Sequence, residues 1–96
     1  MLDVKQEYLD ELVSIFKNYC PNAEIWAYGS RVKNDSHAGS DLDLVVKDFN
    51  DENKHLYELK QLLYDSTIPF LIDIQEYKYM PEYFKTEINK QYIRIF

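Results

Sequence analysis

The spacing of apolar side chains along the chain changes period several times, and each change marks a new element. From Asp3 to Tyr19, the residues Leu9, Leu12, Val13 and Phe16 recur at helical spacing; Asp3 and Gln6 offer a capping pair, and Pro21 ends the run. Ala23 to Tyr28 carries Ile25, Trp26 and Tyr28, strand-favouring residues that stop at Gly29. Asp41 to Lys47 then alternates strictly, Leu42, Leu44 and Val46 on one face, Asp41, Asp43 and Val45 on the other. Helical spacing returns over Asp51 to Tyr64 through Leu56, Leu59 and Leu63. After Pro69 a third strand, Phe70 to Gln75, sets Phe70, Ile72 and Ile74 against Leu71, Asp73 and Gln75. Pro81 suits the first turn of a last helix bearing Phe84, Ile88 and Tyr92, and Ile93 to Phe96 reads as an edge strand. This order predicts an α/β fold, a small β-sheet packed with helices.

Composition narrows the class. With 96 residues the chain reads as one domain, 1–96, and its 46% apolar content supports a single core. No apolar run approaches the length of a membrane span, and the N-terminus lacks the apolar stretch of a secretory signal, so a cytoplasmic protein is expected. A net charge of −6 repels phosphate backbones and argues against direct nucleic-acid binding. The single cysteine, Cys20, reads as a small buried residue.

Chemistry concentrates in one segment. Both glycines, Gly29 and Gly39, lie in the stretch that runs from Gly29-Ser30-Arg31 to Gly39-Ser40-Asp41-Leu42-Asp43. Gly29-Ser30 falls where a strand ends and a helical turn can begin, a place where backbone amides and a hydroxyl can hold a phosphate. Asp41 and Asp43, two apart on a strand, leave the same face about 6.6 Å apart, close enough to share Mg2+. Asp73 points away from the apolar side of its own strand and is the candidate third carboxylate; Glu76, on the opposite face, is the alternative. Three crowded carboxylates repel unless divalent cations neutralise them, the usual device for displacement at phosphorus. Arg31 reads either as a phosphate-facing guanidinium or as a salt-bridge partner. His37, in the loop, and His55 are given no role. The aromatics Tyr77, Tyr79, Tyr83, Phe84, Tyr92 and Phe96 exceed what one helix face buries, and read as core filler or as a partner surface.

With Gly29-Ser30, ten intervening residues and Asp41-Leu42-Asp43, the chain resembles the minimal nucleotidyltransferases of the polymerase beta-like superfamily. The resemblance runs from the first helix to the closing Tyr92-Ile93-Arg94-Ile95-Phe96. It implies the polymerase beta-like nucleotidyltransferase fold with a mixed sheet. It implies that Gly29, Ser30, Arg31, Gly39 and Ser40 bind ATP, and that Asp41, Asp43 and Asp73 are catalytic and hold Mg2+, two ions in the full site. It further implies a toxin-antitoxin pair in which the chain, as antitoxin, transfers AMP to a tyrosine of a HEPN ribonuclease toxin. The other reading is an inactive antitoxin of the same family that neutralises its partner by binding alone. A chain of this size offers no second domain to grip an acceptor, which fits an acceptor carried on a docking partner.

Overall fold

In the computed structural model, residues 2–33 and 40–96 are described. The elements follow in the order α1 (Gln6–Tyr19), β1 (Glu24–Tyr28), α2 (Ser30–Lys33), β2 (Leu42–Asp48), α3 (Leu56–Tyr64), β3 (Ile72–Glu76), a 3-10 turn (Tyr77–Tyr79), α4 (Glu82–Lys90) and β4 (Ile93–Arg94). The strands form one mixed sheet in the order β3-β2-β1-β4, with β2 and β4 antiparallel to β1 and β3 parallel to β2. The parallel pair needs a crossover, and α3 supplies it.

Strand alternation divides the interior into two layers. Ile25, Ala27, Leu42, Leu44, Val46 and Ile74 point to one face, where Leu12 and Phe16 of α1 and Leu59 and Leu63 of α3 close the main core. Trp26, Tyr28 and Val45 point to the other and meet Met80 and Ile88 of the chain around α4. The apolar alternation of Leu42, Leu44 and Val46 is therefore the core stripe expected of it, and Val45 is buried as well because a helix covers the second face. Cys20 is buried among the main core side chains, and burial pushes its thiol up to about 11, an inert state.

Two helices begin later than their apolar spacing suggests, for tertiary reasons. The Asp3–Gln6 cap does not form; α1 starts after Lys5, without a side-chain cap. The backbone of Asp3 is held instead by Arg31, its N–H donating to the Arg31 carbonyl at 2.8 Å and its carbonyl accepting from Arg31 Nη1 at 2.8 Å, which keeps this stretch out of the helix. Residues 51–55 are not helical, because Asp51 Oδ1 accepts from the Asn53 N–H at 3.0 Å in a local turn. Tyr19 of α1 then fixes where α3 starts: its hydroxyl accepts from the His55 N–H at 2.9 Å and donates to Glu58 Oε1 at 2.5 Å. At the C-terminus β4 is two residues long, but backbone bonds between Ile25 and both Ile95 and Phe96 carry the pairing to the chain end.

The surplus of C-terminal aromatics is largely absorbed. Tyr77, Phe84 and Phe96 pack on the two cores, and Tyr92, beyond the end of α4, stacks on Trp26 with ring centroids 3.9 Å apart. Of the six, Tyr79 and Tyr83 are the ones left largely exposed.

Candidate active site

The carboxylates meet at one end of the β2–β3 pair. The antiparallel register sets Asp43 of β2 opposite Tyr28 of β1, and the parallel register sets it opposite Asp73 of β3. Neighbours paired across a sheet send their side chains to the same face, so Tyr28, Asp43 and Asp73 form one row across three strands. Asp41 lies just before β2, exposed, while Asp43 is half-buried. Burial first, then the charges of Asp73 and Asp41, hold the Asp43 carboxyl above its usual range. Glu76 pairs with Val46 further along β3 and lines a separate groove with Lys47 and Lys78. The geometry favours Asp73 over Glu76 as the companion of Asp43.

Gly29 explains how β1 can turn so close to an acid. Its φ of 81° is in the left-handed region, and a side chain there would collide with Asp43 Oδ2. The Asp43 carboxylate thus rests against bare backbone at the start of α2, where Ser30 is the first helical residue and is half-buried. The first amides of a helix have no partner within it, so the Gly29-Ser30 turn and the Asp43 carboxylate present donors and negative charge side by side.

Tyr28 was not singled out by the sequence pattern beyond its fit to a strand. It is buried, its ring meets Phe84 edge-on at 6.0 Å, and burial together with Asp43 and Asp73 pushes its phenol well above the ordinary tyrosine value. It stays protonated beside the acids and forms the β1 end of the row. The available signal was its position immediately before Gly29, one strand away from the acids.

Arg31 follows Ser30, yet its guanidinium is bound to backbone. Nε and Nη2 donate to the Ser40 carbonyl at 3.3 and 2.8 Å, Nη1 donates to the Asp3 carbonyl, and the plane lies 4.3 Å from the Phe70 ring centroid. At 8% exposure it is the buried charged residue among those described. This geometry favours a brace joining the N-terminus, α2 and the residue before Asp41 over the expected phosphate contact. Arg31→Lys keeps the charge but loses the fork and its part-buried hydrogen bonds to the Asp3 and Ser40 carbonyls; we expect a stability loss of about 1–2 kcal/mol with ATP affinity changed less than about threefold. A variant with an unchanged melting temperature and a tenfold weaker ATP affinity, measured by calorimetry, would reinstate the phosphate role. Ser40, half-buried, abuts Asp41; Gly39 and His37 lie outside the described residues.

The donor set suits a hard divalent cation. Asp41, Asp43 and Asp73 offer oxygen ligands alone, and the Asp43 carboxyl is raised first by burial and then by the charges of Asp73 and Asp41. Among the described residues, no group of three or more His, Cys, Asp or Glu stands close enough to hold a metal by itself. Such an open arrangement is normal for Mg2+, which takes one or two carboxylates and completes its shell with water and substrate phosphates. Among the described residues no helix is long and apolar enough to cross a membrane.

Residues 10–96 match the family model described as Polymerase beta, Nucleotidyltransferase. The chain is 32% identical over 99 aligned positions, covering 98% of itself and 83% of the relative, to a Haemophilus influenzae protein described as a probable protein adenylyltransferase, MntA. It also superposes, with a TM-score of 0.73 over 92% of its length and 72% of the other chain, on a chain of a solved structure described as a toxin-antitoxin with AMP-PNP; at 19% identity that likeness shows the fold.

Proposed function

From the premise that the chain belongs to the polymerase beta nucleotidyltransferase family, we propose that it is an antitoxin that transfers AMP from ATP to a tyrosine of a HEPN-type toxin in the cytoplasm. One observation carries this reading above the others: the Asp43 carboxylate lies between the bare backbone of Gly29 and its register partner Asp73. That is the arrangement needed to hold a triphosphate and an acceptor hydroxyl against one acid row. The relative's description as a protein adenylyltransferase supports a protein acceptor, and the toxin-antitoxin complex of like fold supports a toxin as the partner.

The roles follow from the row. Gly29 and Ser30 would bind the triphosphate, and Ser40 would border it. Asp41 and Asp43, with Asp73, would hold Mg2+, which when bound neutralises the charge on the phosphate oxygens. Asp73 accepts the proton from the tyrosine hydroxyl, whose ordinary pKa of about 10 leaves it a poor nucleophile without a base. A bond forms from the tyrosine oxygen to the α-phosphorus, the bond from that phosphorus to the bridging oxygen breaks, and pyrophosphate leaves with the electron pair. Tyr28, protonated beside Asp43, adds no further negative charge to the row.

Two measurements test this. ATP should bind at least tenfold more weakly in EDTA than in Mg2+, because the acids alone repel a triphosphate; equal affinities would remove the metal-site reading. Asp73→Asn should lower transfer by at least about 100-fold and cost ATP binding far less, since a base acts in the transition state and Asp41 and Asp43 remain to hold Mg2+, while Glu76→Gln should transfer normally. Transfer is read as AMP-sized mass additions on a HEPN-type toxin co-expressed with this chain. Full neutralisation of that partner with no added mass would leave an antitoxin that works by binding alone.

A further inference from the structure

The sheet has two edges, and they are built differently. β4 is two residues long, and Arg94 pairs with Glu24 at 3.9 Å, so that edge is short and charged. β3 runs for five residues at the opposite edge. The Leu42 N–H donates to the Leu71 carbonyl at 2.9 Å, and Leu42 stands opposite Ile72. In a parallel ladder this turns the backbone groups of Asp73 and Gln75 inward to β2 and those of Ile72, Ile74 and Glu76 outward. Among the described residues no backbone hydrogen bond outside the regular elements reaches those outward groups.

Beside this edge lies a groove of about 620 Å³ between β3 and α3, lined by Tyr57, Tyr64, Leu71 and Asp73 among others. Its rim is unusually apolar for a solvated surface: Leu71 is 73% exposed, Tyr57 71% and Tyr64 85%. Asp73 stands at this same edge: α3 and the groove lie on the face of Ile72 and Ile74, and the acid row of Asp73 and Asp43 lies on the other face, so the two flank the edge from opposite sides. A strand added to this edge approaches Asp73 from the side away from Gly29, because β2 stands between β3 and β1.

Resting on the nucleotidyltransferase reading above, we propose that the free edge of β3 and the groove beside it receive an extended, basic, tyrosine-bearing segment of the partner toxin as a fifth strand. A residue added opposite Asp73 sends its side chain to the face that carries Asp73 and Asp43. With strands about 4.8 Å apart, a tyrosine at that position lays its hydroxyl over the acid row. Charge selects the occupant: two copies of β3 edge to edge would juxtapose Asp73 and Glu76 with their own like charges on chains of net charge −6, whereas lysines or arginines flanking the tyrosine are attracted.

Amide exchange by NMR, on the chain alone and with a HEPN-type toxin that it modifies or binds on co-expression, tests the proposal. The amides of Ile72, Ile74 and Glu76 should exchange at least tenfold more slowly in the complex. Leu71→Glu with Tyr64→Glu, both at exposed positions, should weaken the complex at least tenfold while leaving the melting temperature and Mg2+-ATP affinity unchanged. Protection confined to the region of Tyr79 and Tyr83 would overturn the proposal. So would protection of the β3 amides in the free chain that grows with its concentration, the mark of a second copy. AMP on the partner without β3 protection removes this surface and keeps the activity; β3 protection without AMP keeps the surface and removes the activity. No complex at micromolar concentration overturns both.

Discussion

Replacing Asp41 and Asp43 together by asparagine should abolish AMP transfer and leave the protein as stable as before, or more so. The loss should reach about 10³-fold or more, because the interactions removed are those that offset charge on the reacting phosphate, an effect of several kcal/mol. The stability side follows from Asp43, whose carboxyl is held above its usual range by burial, Asp73 and Asp41. A carboxyl whose folded-state pKa exceeds its unfolded value stabilises the fold at low pH, and that contribution is lost as pH rises through the folded value. At neutral pH the wild type therefore carries the ionised, unfavourable form. The double variant removes it, and its melting temperature at pH 7 should be equal or higher by a few degrees, since about 1 kcal/mol moves a chain of this size by ~4–8 °C. Lowering the pH from 7 toward the carboxylate range should stabilise the wild type relative to the variant, so the two melting curves converge. A variant several degrees less stable at pH 7 would make these acids part of the framework.

How far such a site can be read from sequence depends on whether the information is local. The alternation of Leu42, Leu44 and Val46 against Asp43 and Val45 is a property of consecutive residues, and the parity of β3 separates Asp73 from Glu76 in the same way. The fold class and family followed from such patterns and from the Gly29-Ser30 to Asp43 spacing, and the family match over 10–96 bears them out. That Asp73 stands opposite Asp43, and not two residues along, is set by how α3 returns the chain to the sheet. Parity cannot supply a register. Arg31 is the sharper case: its carbonyl partners are Asp3, 28 residues away, and Ser40, nine away. Its place after Ser30 suggests a phosphate, whereas the fold uses its fork to tie three backbone segments. The aromatic surplus left core filler and partner surface undecided for a related reason: Tyr92 loses its helical stripe at the end of α4 and stacks on Trp26, a contact that no local pattern contains.

Gly29→Ala should be the most damaging single substitution at the site, because it strikes stability and catalysis through the same contact. The backbone at φ 81° disfavours any residue with a Cβ, at about 1–2 kcal/mol. That Cβ would also collide with Asp43 Oδ2 and crowd Asp43 Cγ at 3.2 Å, so the carboxylate must swing away or β1 must part from β2. Together these should cost about 2–4 kcal/mol, a fall of roughly 10–20 °C in melting temperature. Transfer should drop by at least about 100-fold in protein that remains folded, since a displacement of an ångström is enough for that. The two causes separate in a double-mutant cycle. In an Asp43→Ala background the Oδ2 and Cγ atoms are gone, what remains is Asp43 Cβ at the 3.4 Å of ordinary contact, and Gly29→Ala should then cost only its backbone strain. If the substitution costs the same stability in both backgrounds, the glycine serves the turn alone, and the close seat of Asp43 against Gly29 has no part in selecting it.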